Sequence, residues 1–246
     1  MDPYIGVTGY VSSNEVRLSL ECLKRADVNS RVLLMVGVLA SSKTINGGTN
    51  RYAHRYPPVS RIAEIFTADP GAINLIHYAT DDLGTLPTQL ERMIQLGGAN
   101  LHGFQINVCW PEPELLAPIK GMRVVLQLGS NALKLCAHNP ANIAERLRRY
   151  RGYITDVLID GSGGKGISMN AAELLPLTRS LVESFPDLGI GVAGGLSAVS
   201  IDLVQPLFDA GLRPSIDAEG QLRDPDDILN LHKTLGYLEA AVRLYR

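Results

Sequence analysis

Short apolar runs alternate with amphipathic stretches from one end of the chain to the other. Tyr4–Thr8 opens the series. Val32–Leu39, Ile73–Tyr78, Gly103–Val108, Arg123–Leu128, Asp156–Asp160, Gly189–Ala193 and Pro214–Ala218 continue it. Runs this short, apolar throughout, read as strands of a parallel sheet covered on both faces. Between them apolar positions recur at helical intervals. Val16, Leu20 and Leu23 follow Ser13, taken as an N-cap. Further helices are expected near Arg61–Phe66, over Leu86–Leu96 with Gly97-Gly98 as the stop, and over Pro113–Ala117. The rest are Ala141–Tyr150 behind Pro140, Asn170–Phe185, a helix from Ser197 to about Phe208, and Asp226–Leu244. Eight strand–helix units in 246 residues favour a single closed (β/α)8 barrel over an open doubly wound sheet. No break in composition marks a second domain, so residues 1–246 read as one barrel domain. A long polar loop at about 40–58 follows the second strand, and its Asn46-Gly47-Gly48 permits hinging.

Composition narrows the function classes. Apolar residues make up 46% of the chain and the net charge is −2, so no overall field draws in nucleic acid or an anionic membrane. No run approaches the roughly 18 apolar residues that span a bilayer. Met1-Asp2-Pro3-Tyr4 has neither the basic flank nor the apolar core of a signal peptide. Cys22, Cys109 and Cys136 lie far apart with no CxxC, as expected of reduced thiols in a cytoplasmic protein. The outer helix stripes leave room for a homodimer.

A barrel of this kind keeps its active site at the C-terminal ends of its strands. The polar residues there are Thr8, Ser41, His77 with Asp81 and Asp82, Gln105, Asn107, Gln127, Asp160, and Asp217 with Glu219. Asp160 closes the sixth run beside a glycine turn, where partial desolvation moves a carboxyl toward useful acid–base range. The other reading is a side chain that caps its own turn. Asp217 and Glu219 are two apart, so both face the mouth if the strand persists, whereas Glu219-Gly220 is otherwise a plain turn. His77 sits within an apolar run, the usual setting of a hydrogen-bonded core histidine. His54, His102, His138 and His232 lack paired spacing, so no metal site is expected. No lysine ends a strand, which disfavours Schiff-base chemistry.

Two glycine turns carry the strongest local signal. Gly161-Ser162-Gly163-Gly164-Lys165-Gly166 follows the sixth run and Gly194-Gly195-Leu196-Ser197 the seventh. Glycine admits a ligand close to the backbone, and a helix start offers unpaired N–H groups to an anion. Successive turns of this sort suit a phosphate, with Lys165 either a counter-charge or a solvated loop lysine. Neither a Walker loop nor a dinucleotide fingerprint is present.

These pieces resemble the phosphoribosylanthranilate isomerase family of β/α barrels. The resemblance rests on Leu158-Ile159-Asp160 with Gly163-Gly164-Lys165-Gly166, on Val192-Ala193-Gly194-Gly195-Leu196-Ser197, and on Arg55-Tyr56 with Val59-Ser60. Gln105 and Asp217 complete it. It implies Asp160 as general acid and Arg55 as the holder of an anthranilate carboxylate. It also implies Gly164, Gly194, Gly195 and Gly220 around the phosphate, with Asp217 near the sugar hydroxyls. Thr8 stands where that family carries a cysteine base, and Ala218-Glu219-Gly220 where it has a Ser-rich segment.

The resulting expectation is a cofactor-free isomerase or related enzyme for a small phosphorylated sugar derivative. Asp160, Asp217 and Thr8 are its catalytic candidates. Arg55, Gln105, His77 and Glu219 are its substrate-binding candidates, and Gly163, Gly164, Gly194, Gly195 and Gly220 its phosphate site. The alternatives are a lyase or hydrolase for a non-phosphorylated carboxylate held by Arg51 or Arg55, and a non-catalytic metabolite-binding barrel.

Overall fold

The computed structural model describes residues 1–26, 32–161 and 168–246. Eight parallel strands close on themselves in chain order: β1 (Tyr4–Thr8), β2 (Leu33–Ser41), β3 (Ala72–Ala79), β4 (Gly103–Ile106), β5 (Arg123–Gly129), β6 (Asp156–Asp160), β7 (Gly189–Ala193) and β8 (Ser215–Ala218). Pairing of Ile5 with Ile216, Gly6 with Asp217 and Val7 with Ala218 completes the ring. The (β/α)8 barrel read from the eight apolar runs is the fold. Outside it lie α1 (Ser13–Ala26), α2 (Ser42–Ile45), α3 (Ile62–Ile65), α4 (Leu86–Gly97) and α5 (Ser130–Leu135). They are followed by α6 (Pro140–Arg148), α7 (Ala171–Ser184), α8 (Gln205–Asp209) and α9 (Leu231–Val242). No described helix is long and apolar enough to cross a membrane.

Alternation along each strand splits the core in two. Ile5, Val7, Leu34, Val36, Val124, Leu126, Val157 and Ile159 face outward into the layer shared with the helices. Tyr4, Met35, Ile73, Leu75, Val125, Leu158 and Ala193 fill the barrel interior. Above an ion pair at the floor the interior side chains are mainly apolar, and they turn polar again toward the C-terminal ends of several strands. That polar layer is the candidate site.

The floor carries one strong ionic contact. Arg123 opens β5 and Asp156 opens β6; Arg123 Nη2 and Nε donate to Asp156 Oδ1 at 2.7 Å and Oδ2 at 3.0 Å. Asp156 also accepts from the Thr155 hydroxyl at 2.7 Å, and Gly189 leaves the space its carboxylate fills.

Several helix expectations need correction. The cap of α1 is Ser12, not Ser13: Ser12 Oγ accepts from Glu15 N, and Glu15 Oε2 accepts from Ser12 N at 2.9 Å. No α-helix starts at Ser197. A turn leads into a 3-10 segment over Ile201–Val204 and then the short α8, because Ser200 Oγ turns back to Gly195 O at 2.6 Å. The last helix starts at Leu231 rather than Asp226. Asp224 Oδ1 accepts from the N–H groups of Asp226 and Ile228 and holds that stretch as a turn; Asn230 caps the helix instead. The expected Pro113–Ala117 helix is a 3-10 segment over Pro113–Ile119, and α5 went unforeseen. Within the 40–58 segment β2 persists to Ser41, and α2 follows under a Ser41–Thr44 capping box.

Candidate active site

The polar layer is a hydrogen-bonded network drawn from six strands. Gln127 Nε2 on β5 donates to Asp160 Oδ2 on β6 at 2.7 Å. That fixes the Gln127 amide so that its Oε1 faces Gln105 on β4, whose Nε2 donates to it at 3.2 Å. The same Gln105 nitrogen lies 3.4 Å from His77 Nδ1 on β3 and 3.4 Å from Asp217 Oδ2 on β8. Across the β1–β8 seam the Thr8 hydroxyl lies 3.1 Å from each Asp217 oxygen and donates to that carboxyl. Asp160, Asp217, Gln105, His77 and Thr8, all singled out in the sequence, therefore meet in one place. Gln127 belongs with them; its position at the end of an apolar run was the signal. Gln105 Oε1 is buried with no hydrogen-bond partner among the described residues.

Two inward glycines make room for the Thr8–Asp217 pair. A Cβ on Gly6 would sit 2.7 Å from Asp217 Oδ1, and one on Gly37 would sit 2.6 Å from Thr8 Oγ1. Gly6→Ala is expected to push Asp217 away from Thr8 and to cost about 1–3 kcal/mol, the usual penalty of overpacking. Urea unfolding checks this; an unchanged midpoint would show that the layer has slack.

Burial sets the electrostatics. Asp217 is enclosed, which pushes its carboxyl pKa up to about 8; the nearby charge of Glu219 adds to the rise, and donation from Thr8 and Gln105 opposes it. The group therefore holds its proton at neutral pH. Burial also lowers the pKa of His77 against the pull of Glu219 and Asp160, so its imidazole is neutral there.

Arg55 brings the β2 crossover to the β8 crossover. Its Nη1 donates to Glu219 Oε1 at 2.6 Å. Its Nε lies 2.9 Å from both Asp227 oxygens, and its Nη2 donates to Asp227 Oδ1 at 2.7 Å. The guanidinium also lies 4.3 Å from the centre of the Tyr52 ring. Burial works against its charge, but Asp227 and Glu219 outweigh that and raise its pKa above the ordinary arginine value. Asp227 adopts a left-handed backbone, φ 65°, inside the Asp224 turn. Next to it Arg223 is buried and donates to Thr8 O and Asp227 O, both at 3.2 Å. Gly9, at φ 105°, leaves the space that Arg223 occupies. Asp227, Arg223 and Tyr52 escaped sequence reasoning because no local spacing links them to Arg55 or Thr8.

Of the glycine turns, Gly163, Gly164 and Lys165 lie outside the described residues. Gly194 and Gly195 have φ values of 138° and 69°, which a side chain rarely adopts. Gly194 O accepts from Met169 N at 3.2 Å, so the end of the sixth crossover meets the seventh. One narrow cavity is lined by His77, Gln105, Gln127, Asp160, Gly194, Gly195, Asp217, Glu219 and Gly220, among others. A larger, mainly apolar cavity shares Ala193 and Gly194 with it and is bordered by Leu133, Met169 and Leu174.

No protein-family model and no curated protein matches this sequence. Solved structures do. The chain is similar to phosphoribosyl anthranilate isomerase from Thermus thermophilus, with a TM-score of 0.65 and 14% identity over 99% of this chain and 100% of that one. A phosphoribosyl anthranilate isomerase in complex with reduced 1-(o-carboxyphenylamino)-1-deoxyribulose 5-phosphate gives a TM-score of 0.63 and 13% identity, covering 98% of each chain. A protein from Aquifex aeolicus VF5 gives 0.59 and 11%, covering 100% of this chain and 94% of that one. The chain thus has a phosphoribosylanthranilate isomerase-like (β/α)8 barrel, and at these identities the likeness is one of fold.

Proposed function

We propose that the mouth of the barrel is the active site of an isomerase-type enzyme acting by acid–base catalysis on a small phosphorylated sugar derivative. The observation that carries this reading is the pair of carboxyl side chains, Asp160 and Asp217, joined through Gln127 and Gln105 yet set in different surroundings. Two acids in unlike environments divide the roles of proton donor and proton acceptor. Asp217, protonated at neutral pH, is the donor in this scheme. Asp160, oriented by Gln127, takes the complementary transfer. Thr8 positions Asp217 through its hydroxyl; an unassisted hydroxyl has no pKa suited to act as the base. Gly194, Gly195 and Gly220, which line the same cavity, are the described residues of the phosphate site in this scheme. Proton transfer next to a carbonyl needs no redox cofactor, so none is invoked.

The experiment is a screen of phosphorylated aldoses, ketoses and their amine adducts in D2O, read by NMR for deuterium entering beside the carbonyl. Asp160→Asn is expected to reduce exchange by about 10²–10⁴-fold, the range for loss of a positioned acid–base group. Binding of the same compound should survive. Exchange that persists at the wild-type rate in the variant sinks the proposal.

A further inference from the structure

The buried guanidinium at the mouth already has two carboxylates of its own. Arg55 is 8% exposed. Its ion pairs with Glu219 and Asp227 span residues 164 and 172 positions away, and Tyr52 covers its face. The Asp227 end is built for this contact: an Asp224-centred turn holds a strained left-handed residue whose carboxylate meets Arg55 side-on. The Arg55 end is anchored too, since Asn50 Nδ2 donates to Ser41 Oγ at 2.8 Å and ties the same crossover back to β2. An incoming carboxylate would have to displace a charge-assisted hydrogen bond of 2.6–2.7 Å from a buried arginine.

From this geometry, and resting on the reading of the mouth as the ligand site, we infer that Arg55 is a buckle between the β2 and β8 crossovers and not a ligand for a substrate carboxylate. The mouth consequently selects a group rich in hydrogen-bond donors and rejects one that presents a carboxylate there. The rest of the described lining fits such a group. Asp160, Asp217 and Glu219 supply carboxyl oxygens, and Gln105 Oε1 is a buried acceptor with no donor among the described residues. The buckle also sets the local field, because it holds Glu219 where its charge acts on Asp217. Arg55 is in this sense a positioning residue.

The test uses the full chain with two probes, benzoate as a bare carboxylate and ribose 5-phosphate as a donor-rich phosphate ester. Wild-type protein is expected to show no saturable benzoate binding. The double variant Glu219→Gln, Asp227→Asn removes both carboxylates and should bind benzoate at least about tenfold more tightly, a gain of about 1.4 kcal/mol. Adding Arg55→Met should erase that gain. Trypsin cleavage after the exposed Lys43 or Arg51 should quicken by a similar factor in the double variant and in Arg55→Lys, as the crossover comes undone. Benzoate binding by wild type that Arg55→Met abolishes overturns the inference. So does a double variant with neither benzoate affinity nor faster cleavage. The wild-type titration keeps its force even if a variant fails to fold. Loss of the underlying reading looks different: ribose 5-phosphate would leave the amide resonances of Gly194 and Gly195 unmoved while the benzoate and trypsin results stood.

Discussion

Asp217→Asn is expected to remove most of the pH dependence of stability between about pH 4 and pH 8. In the folded protein the carboxyl keeps its proton up to about pH 8, because it is buried and Glu219 stands nearby. In the unfolded chain it ionises near pH 4. The folded state therefore binds more protons than the unfolded state throughout that window. Its stability contribution is full below the unfolded pKa and is lost as pH rises through the folded one. The limiting slope is about 1.4 kcal/mol per pH unit for one group. Wild type should thus be clearly less stable at pH 8 than at pH 5, whereas asparagine, which has no proton to lose, should flatten the curve. Urea unfolding of both proteins at several pH values decides the matter; parallel curves would mean that Asp217 ionises normally in the fold. The same experiment bears on mechanism, since a carboxyl that stays neutral at pH 7 is available to donate its proton.

Asp156→Ala should cause a large loss of stability with little direct effect on chemistry. The Arg123–Asp156 pair sits at the floor of the barrel, where charged residues are expected to serve stability rather than catalysis. Asp156 is 2% exposed, and its removal leaves the partly buried Arg123 guanidinium, packed near the Tyr4 ring, with only Asp2 O as an acceptor among the described residues. Breaking one side of a buried pair costs about 3–5 kcal/mol. Replacing both partners with apolar residues of similar size, as in Arg123→Met with Asp156→Leu, should recover most of that, because no unpaired charge remains. Thermal unfolding measures both. A single variant within about 1 kcal/mol of wild type would show that water reaches Arg123 readily.

The strands were legible because a barrel strand is buried on both sides, so its sequence is a bare apolar run whose length nearly equals the element. Tyr4–Thr8, Asp156–Asp160 and Gly189–Ala193 coincide with the observed strands for this reason. The inward positions of the candidate site were legible too, since Gln105, Gln127, Asp160 and Asp217 are polar residues that interrupt otherwise apolar runs. What failed was local punctuation near acidic and serine-rich turns. Asp226 was given to a helix although the Asp224 side chain accepts from its N–H and holds it in a turn, and Ser197 was given a helix that Ser200 forestalls by bonding to Gly195. Partners far apart in the chain were out of reach altogether. Nothing in the spacing of Arg55 and Asp227, or of Thr8 and Asp217, marks them as neighbours; only ring closure brings them together.

That closure has a consequence for biosynthesis. The proton-holding acid sits on the final strand, and the hydroxyl that steadies it sits on the first. A nascent chain whose β8 has not yet left the ribosome has neither a sealed wall nor a shielded acid. The proposed chemistry needs the β1–β8 seam, so a chain that stops before β8 is not expected to keep any of it.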